Sequence, residues 1–160
     1  MPVGLGSGLW ACVLPKETTN LCQNSSFEFG TTFWGTSTSG AIGTMSGYQQ
    51  YGAWSCICTP TTGLTDGIRG GSVPLIDGDY AVSAYVRGAA GITYNLEIAP
   101  APTGNALGST TFVGGGTWHW YTFGYTEAGG AGGTVTRAVV VRKRSSADTS
   151  QFLVDGVQVE

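Results

Sequence analysis

Apolar and polar residues alternate in short runs between clusters of turn formers along most of the chain, and helical periodicity is nearly absent. Residues 80–87 put Tyr80, Val82, Ala84 and Val86 on one face and Ala81, Ser83, Tyr85 and Arg87 on the other. Residues 92–98 repeat the pattern, with Ile92, Tyr94, Leu96 and Ile98 set against Thr93, Asn95 and Glu97. Gly88 to Gly91 joins these two runs, which predicts a β-hairpin. Further strands are predicted at 9–14, 26–29, 33–38, 53–59, 117–126, 134–143 and 151–159, with Asp77-Gly78-Asp79 as a turn. Links such as Gly114 to Gly116 and Gly129 to Gly133 supply the positive φ that tight turns need. The pattern predicts an all-β fold, an antiparallel β-sandwich over residues 20–160 behind a short N-terminal arm, 1–19.

The segment Trp118 to Tyr125 does not keep one register. Tyr121, Phe123 and Tyr125 share a face, so strict alternation sends Trp118 and Trp120 to the other; a bulge near 119 or 120 would instead return Trp118 to the core. Exposed rings on a sheet stack on the C–H faces of sugars or fill protein interfaces, while neighbouring amides and carboxylates bond hydroxyls. Tyr85, Trp120, Asn95 and Glu97 are the ligand-binding candidates on this ground, the alternative being that such rings close gaps or fill the core. Trp34, Trp54 and Trp118 are expected in the core.

Composition narrows the function. A chain of 160 residues suits one domain, and 41% apolar against 11% charged residues, with many aromatics, is incompatible with disorder. A net charge of −3 offers no basic field for nucleic acid, and the run Arg142 to Arg144 reads as a solvated strand end. No stretch approaches the ~18–20 apolar residues of a membrane helix, so no membrane insertion is expected. Residues 1–13 lack the charged n-region of a secretory leader, from which we expect either a piece of a longer protein or a particle component assembled inside the cell.

Cys12, Cys22, Cys56 and Cys58 contain no C-x-x-C pair and are accompanied by one histidine, which argues against structural zinc. Cys56 and Cys58 point the same way along one strand and read as buried thiols, with a bridge such as Cys22 to Cys56 as the alternative. His119 has no nucleophile motif beside it, and Asp77, Asp79, Glu97 and Glu127 are scattered, so no enzyme activity is expected.

The run Asn20-Leu21-Cys22-Gln23-Asn24-Ser25-Ser26-Phe27-Glu28-Phe29-Gly30, followed by Trp34, resembles the opening of the family 4/9/16/22-type carbohydrate-binding modules. Residues 51–56, the block Asp79 to Gly88 with its Y-x-x-S-x-Y-V-x-G pattern, and the terminal F-x-x-D-x-V-x-x-E of Phe152 to Glu160 follow in the same order. The resemblance implies a jelly-roll sandwich that binds glycan without chemistry. It also implies a structural calcium with Glu28 and Asp155 as ligands, against the simpler reading that these two cap turns or pair with Arg69 or Arg137. The spelling of the last strand, Val154 to Glu160, and of residues 14–20 is similar to modules of phage tail and fibre proteins. On that basis we expect a virion component assembled in host cytoplasm, oligomeric within a larger assembly, with glycan or other virion proteins as partners. The alternatives are an architectural tail or capsid subunit, whose apolar arm at Leu9, Trp10, Val13 and Leu14 is covered by partner chains, and an extracellular module of a secreted glycoside hydrolase.

Overall fold

Ten strands and no helix form among residues 19–61, 65–144 and 148–160, which are the residues described by the computed structural model. They are β1 (Trp34–Thr36), β2 (Ala41–Met45), β3 (Ser55–Thr59), β4 (Gly67–Leu75), β5 (Gly78–Arg87), β6 (Thr93–Pro100), β7 (Gly108–Val113), β8 (His119–Glu127), β9 (Val135–Lys143) and β10 (Phe152–Val159). Two five-stranded antiparallel sheets, ordered β1-β4-β9-β6-β7 and β2-β3-β10-β5-β8, make the expected jelly-roll sandwich. Residues 1–18 of the expected arm, with Cys12 and the strand expected at 9–14, lie outside the described residues.

The alternating faces are as the sequence predicts. Val82, Ala84 and Val86 of β5, Cys56 and Cys58 of β3, and Val154 of β10 meet Tyr94, Leu96 and Ile98 of β6 and Val139 and Val141 of β9 in one core. Each large aliphatic chain buried there contributes about 1.5–3 kcal/mol. Cys22, Cys56 and Cys58 are free and buried, so the Cys22–Cys56 bridge is not formed; burial pushes the Cys22 and Cys58 thiols up to about 12.

The hairpin predicted from Gly88 to Gly91 does not form. β5 pairs with β8 and β10, whereas β6 pairs with β7 and β9, so the link crosses from one sheet to the other. Both runs carry an apolar face that must be covered, and placing them in opposite layers lets each cover the other. Gly88 permits this arch, because a Cβ there would lie 2.5 Å from the Tyr94 ring, whose hydroxyl accepts a bond from Ala89 N at 3.0 Å. The strand expected at 26–29 is instead a chain of turns, in which Phe27 takes a φ of 59° while its ring fills the core beside Trp34. The basic run is also corrected: only Arg144 is solvated, Arg142 is paired with Glu97, and Lys143 is buried, its Nζ donating to the carbonyls of Thr61 and Asp148.

β2, β4 and β7 were not predicted. β4 holds Gly70, Gly71 and Pro74, and its register with β9 slips between Gly70 and Val73. Pro74 is tolerated because β1 covers only Ile68 to Gly70, leaving residues beyond the bulge on an open edge where no N–H is required.

Candidate functional site

β8 pairs with β5 residue for residue from His119 to Glu127, without a bulge, so alternation alone decides where its rings go. Tyr121, Phe123 and Tyr125 pack against the core and Trp120 stands on the outer face, 41% exposed. Trp118 is half-buried ahead of the strand. Trp34 is buried as expected, its indole N–H donating to the carbonyls of Gln23 and Asn24, whereas Trp54, expected in the core, is exposed in the loop before β3.

Across the outer face of the second sheet, Asp155 of β10, Tyr85 of β5 and Trp120 of β8 stand in one cross-strand row. The Tyr85 and Trp120 rings are 4.7 Å apart, and Tyr51 packs edge-on to Tyr85 at 5.5 Å. The next row along, about 7 Å away for a two-residue step, holds Ile57, Leu153 and Arg87. These side chains floor a groove of about 280 Å³ walled by Met45, Tyr48, Gly116 and Gln151. The Arg87 guanidinium lies 4.9 Å from the centre of the Tyr48 ring, and its Nε donates to the Gly116 carbonyl at 3.1 Å. The groove thus has an apolar floor, the Tyr48 ring and one cation, and the Tyr85 and Trp120 rings stand in the adjacent row of the same sheet face.

Tyr51 reaches that surface because two carboxylates hold its loop. Asp155 Oδ2 accepts from Gln50 N at 2.6 Å and Tyr51 N at 2.8 Å, and Glu28 Oε1 accepts from Ala53 N at 2.8 Å and Trp54 N at 3.1 Å. A Cβ on Gly156, whose φ is +54°, would lie 2.7 Å from the Tyr51 ring. Burial pushes the Asp155 carboxyl up, with the N–H groups of Tyr51, Gln50 and Gly156 acting against it and the Glu28 charge adding to it.

Neither acid pairs with Arg69 or Arg137; Arg137 is bonded to Glu127. Both carboxylates instead cap loop N–H groups, Asp155 Oδ1 also accepting from Gly156 N at 2.7 Å; neither has an ion-pair partner among the described residues, and Gln49 Oε1, an oxygen of the kind a hard cation takes, is buried in the same loop with no hydrogen-bond donor. The described residues contain no cluster of three or more His, Cys, Asp or Glu, so any further ligands would be amide oxygens or water.

Asn95 and Glu97, grouped with Tyr85 and Trp120 in the sequence reading, sit on β6 in the opposite sheet. Thr111 Oγ1 donates to Asn95 Oδ1, Asn95 Nδ2 donates to Glu97 Oε1, and Arg142 bonds both Glu97 oxygens, at 2.8–2.9 Å throughout. Glu97 is 1% exposed. These two residues are a structural ladder, remote from the groove. The residues missed were Tyr48, Tyr51, Ile57, Arg87 and Leu153. Arg87 was legible as the same-face neighbour of Tyr85, but the loop tyrosines carried no periodic signal.

No protein-family model and no curated protein matches the sequence. Among solved structures, TmCBM61, in complex with β-1,4-galactotriose, is similar with a TM-score of 0.62 and 18% identity over 89% of this chain and 99% of that one. The CBM22-1 xylan-binding domain of Paenibacillus barcinonensis Xyn10C gives 0.65 and 17% over 85% of this chain and 90% of that one. The enzymatically active domain of bacteriophage CBA120 tailspike protein 4 gives 0.62 and 17% over 88% of this chain, which spans 21% of the tailspike chain. The fold of this chain is that of the carbohydrate-binding-module jelly rolls.

Proposed function

We propose that the chain is a non-catalytic glycan-binding module and that a sugar chain lies along the groove and over the Tyr51, Tyr85 and Trp120 rings. The observation that carries this reading is the aromatic row set beside an open groove on one outer face. Ring faces stack on sugar C–H groups, and Arg87 and Gln151 offer polar contacts to hydroxyls. The complex of the similar TmCBM61 with a galactotriose and the naming of the CBM22-1 domain as xylan-binding support it. Titration calorimetry with galacto- and xylo-oligosaccharides and a glycan array tests it: binding is expected to disappear in a Tyr85→Ala/Trp120→Ala double variant that still folds. Silence of the unaltered protein on every sugar rejects it.

The same reading includes a calcium ion held by Glu28 and Asp155, with Gln49 Oε1 as a candidate third ligand. The ion would fix the loop that presents Tyr51. Thermal unfolding with calcium and then with excess chelator checks this: calcium is expected to raise Tm in the original protein and not in Asp155→Asn.

The carrier we propose is a virion appendage, a reading supported by the tailspike likeness and by the spelling of the last strand. An architectural role, with glycan binding secondary or absent, is favoured by one observation, the exposure of Phe29 and Phe33 on a single loop. Mass spectrometry of purified particles and cross-linking at that loop separate the two.

A further inference from the structure

The outer face of the other sheet holds a second recess, on the far side of the sandwich from the aromatic groove. Its volume is about 240 Å³, and Phe33, Gly35, Arg69, Ser72, Pro102 and Ala138 are among its lining residues. At ~30 Å³ per water it has room for roughly eight waters, enough for one six-membered ring with its substituents. We propose that this recess binds a carboxylate carried on a small polar ring, as in a uronic acid residue, and that Arg69 is its anion-binding group.

Charge pairing singles out Arg69. Arg137 and Arg142, the arginines of the neighbouring strand β9, are each matched to a carboxylate, Glu127 and Glu97. Glu97 is engaged by Asn95 and Arg142, and among the described residues it forms no ion pair with Arg69. Among the described residues the Arg69 guanidinium makes one hydrogen bond, from Nη2 to the Pro100 carbonyl, and its Nε is buried without an acceptor. Burial and the nearby Arg142 charge lower its pKa against the pull of Glu97, as befits a cation that lacks a counter-charge of its own. Arginine's planar fork of N–H groups matches a carboxylate better than any neutral hydroxyl.

The walls suit a ring. Phe33 is 57% exposed although its φ is +70°, a conformation that bulky residues seldom adopt and that the surrounding turns must hold. The β4 bulge between Gly70 and Val73 interrupts the ladder beside Arg69, where Ser72 is exposed. A Cβ on Gly35 would meet nothing within 4 Å, so the recess is open over β1.

The test is an NMR titration of the isotope-labelled chain with glucuronate, with glucose as the neutral control and a uronic-acid oligomer to distinguish a free monosaccharide from a polymer. Glucuronate is expected to move the amides of Gly35, Gly70 and Ser72, and glucose is not. Arg69→Gln is expected to weaken the interaction at least about tenfold, and Gly35→Phe to block it while glycan binding at the Trp120 groove is kept. The proposal is overturned if glucose and glucuronate act alike, if the shifts map to the groove face, or if a folded Gly35→Phe retains full affinity. Should Arg69→Gln fail to fold, the Gly35→Phe result decides.

Discussion

The two sheets present outer faces built on the same pleat, yet one closes its polar groups on themselves and the other leaves its rings open. On β6, β7 and β9 the chain Thr111, Asn95, Glu97 and Arg142 satisfies each member, and Glu97 and Asn95 are buried although they point away from the core. On β5, β8 and β10 the row Asp155, Tyr85 and Trp120 ends in a ring 41% exposed, beside a groove. Pointing outward is therefore not what makes a residue available to a ligand; unspent bonding or stacking capacity is. By that standard Arg69 is the exception on the closed face.

Glu97 separates the two faces by the widest margin. Glu97→Ala leaves Arg142 without its carboxylate and is expected to cost about 3–5 kcal/mol of stability, measured by denaturant unfolding, with glycan affinity unchanged at a temperature where the variant is folded. Trp120→Ala is the mirror case: about 2 kcal/mol of binding lost, roughly thirtyfold, read by calorimetry, with stability shifted by less than about 1 kcal/mol.

Gly156→Ala sits between the two. Its positive φ and the Tyr51 ring both oppose a Cβ, so about 1–2 kcal/mol of stability and a severalfold loss of affinity are expected together. A Gly156→Ala protein with normal glycan binding would remove Tyr51 from the site.

The smallest effect is acid dependence. The Arg137 guanidinium, with bonds from Tyr125 and Gly129, holds Glu127 down at about 2 against a usual 4.5. Burial opposes ionisation of Asp66, but bonds from Ser39 and Thr61 win and hold it at about 2 against 3.8. A depressed folded pKa means stability that is complete above the unfolded value and lost as pH falls. Chemical unfolding should therefore show stability declining from about pH 4.5 toward pH 2, with a shallower slope in Glu127→Gln. Asp155 works in the opposite sense: its raised pKa makes protonation favour the folded state, so its contribution is present at low pH and fades as pH rises through the folded value.

Much of this was legible because alternation is local. Tyr80 to Arg87 and Ile92 to Ile98 declared their faces correctly, and Trp120 was exposed on the strict-alternation reading. β4 was hidden because its two adjacent glycines, Pro74 and a bulge erase the period on which the reading depends. Lys143 looked solvated because a basic run usually is, and no sequence pattern announces that the Thr61 and Asp148 carbonyls accept its hydrogen bonds.

Local pattern is enough to tell inward from outward side chains along each recognised strand, since the two-residue repeat follows from peptide geometry. The blocks that contain Glu28 and Asp155 drew attention to these two, but only the folded chain shows them accepting from the N–H groups of the Tyr51 loop. Tertiary structure alone decided strand partners, and with them the fate of the outward residues. Asn95 and Glu97 were closed off by Thr111 and Arg142, while Tyr85 met Trp120 and a loop tyrosine. Pairing joins residues far apart in the chain, and the choice among partners depends on which apolar faces must be covered together, a condition that no single segment contains.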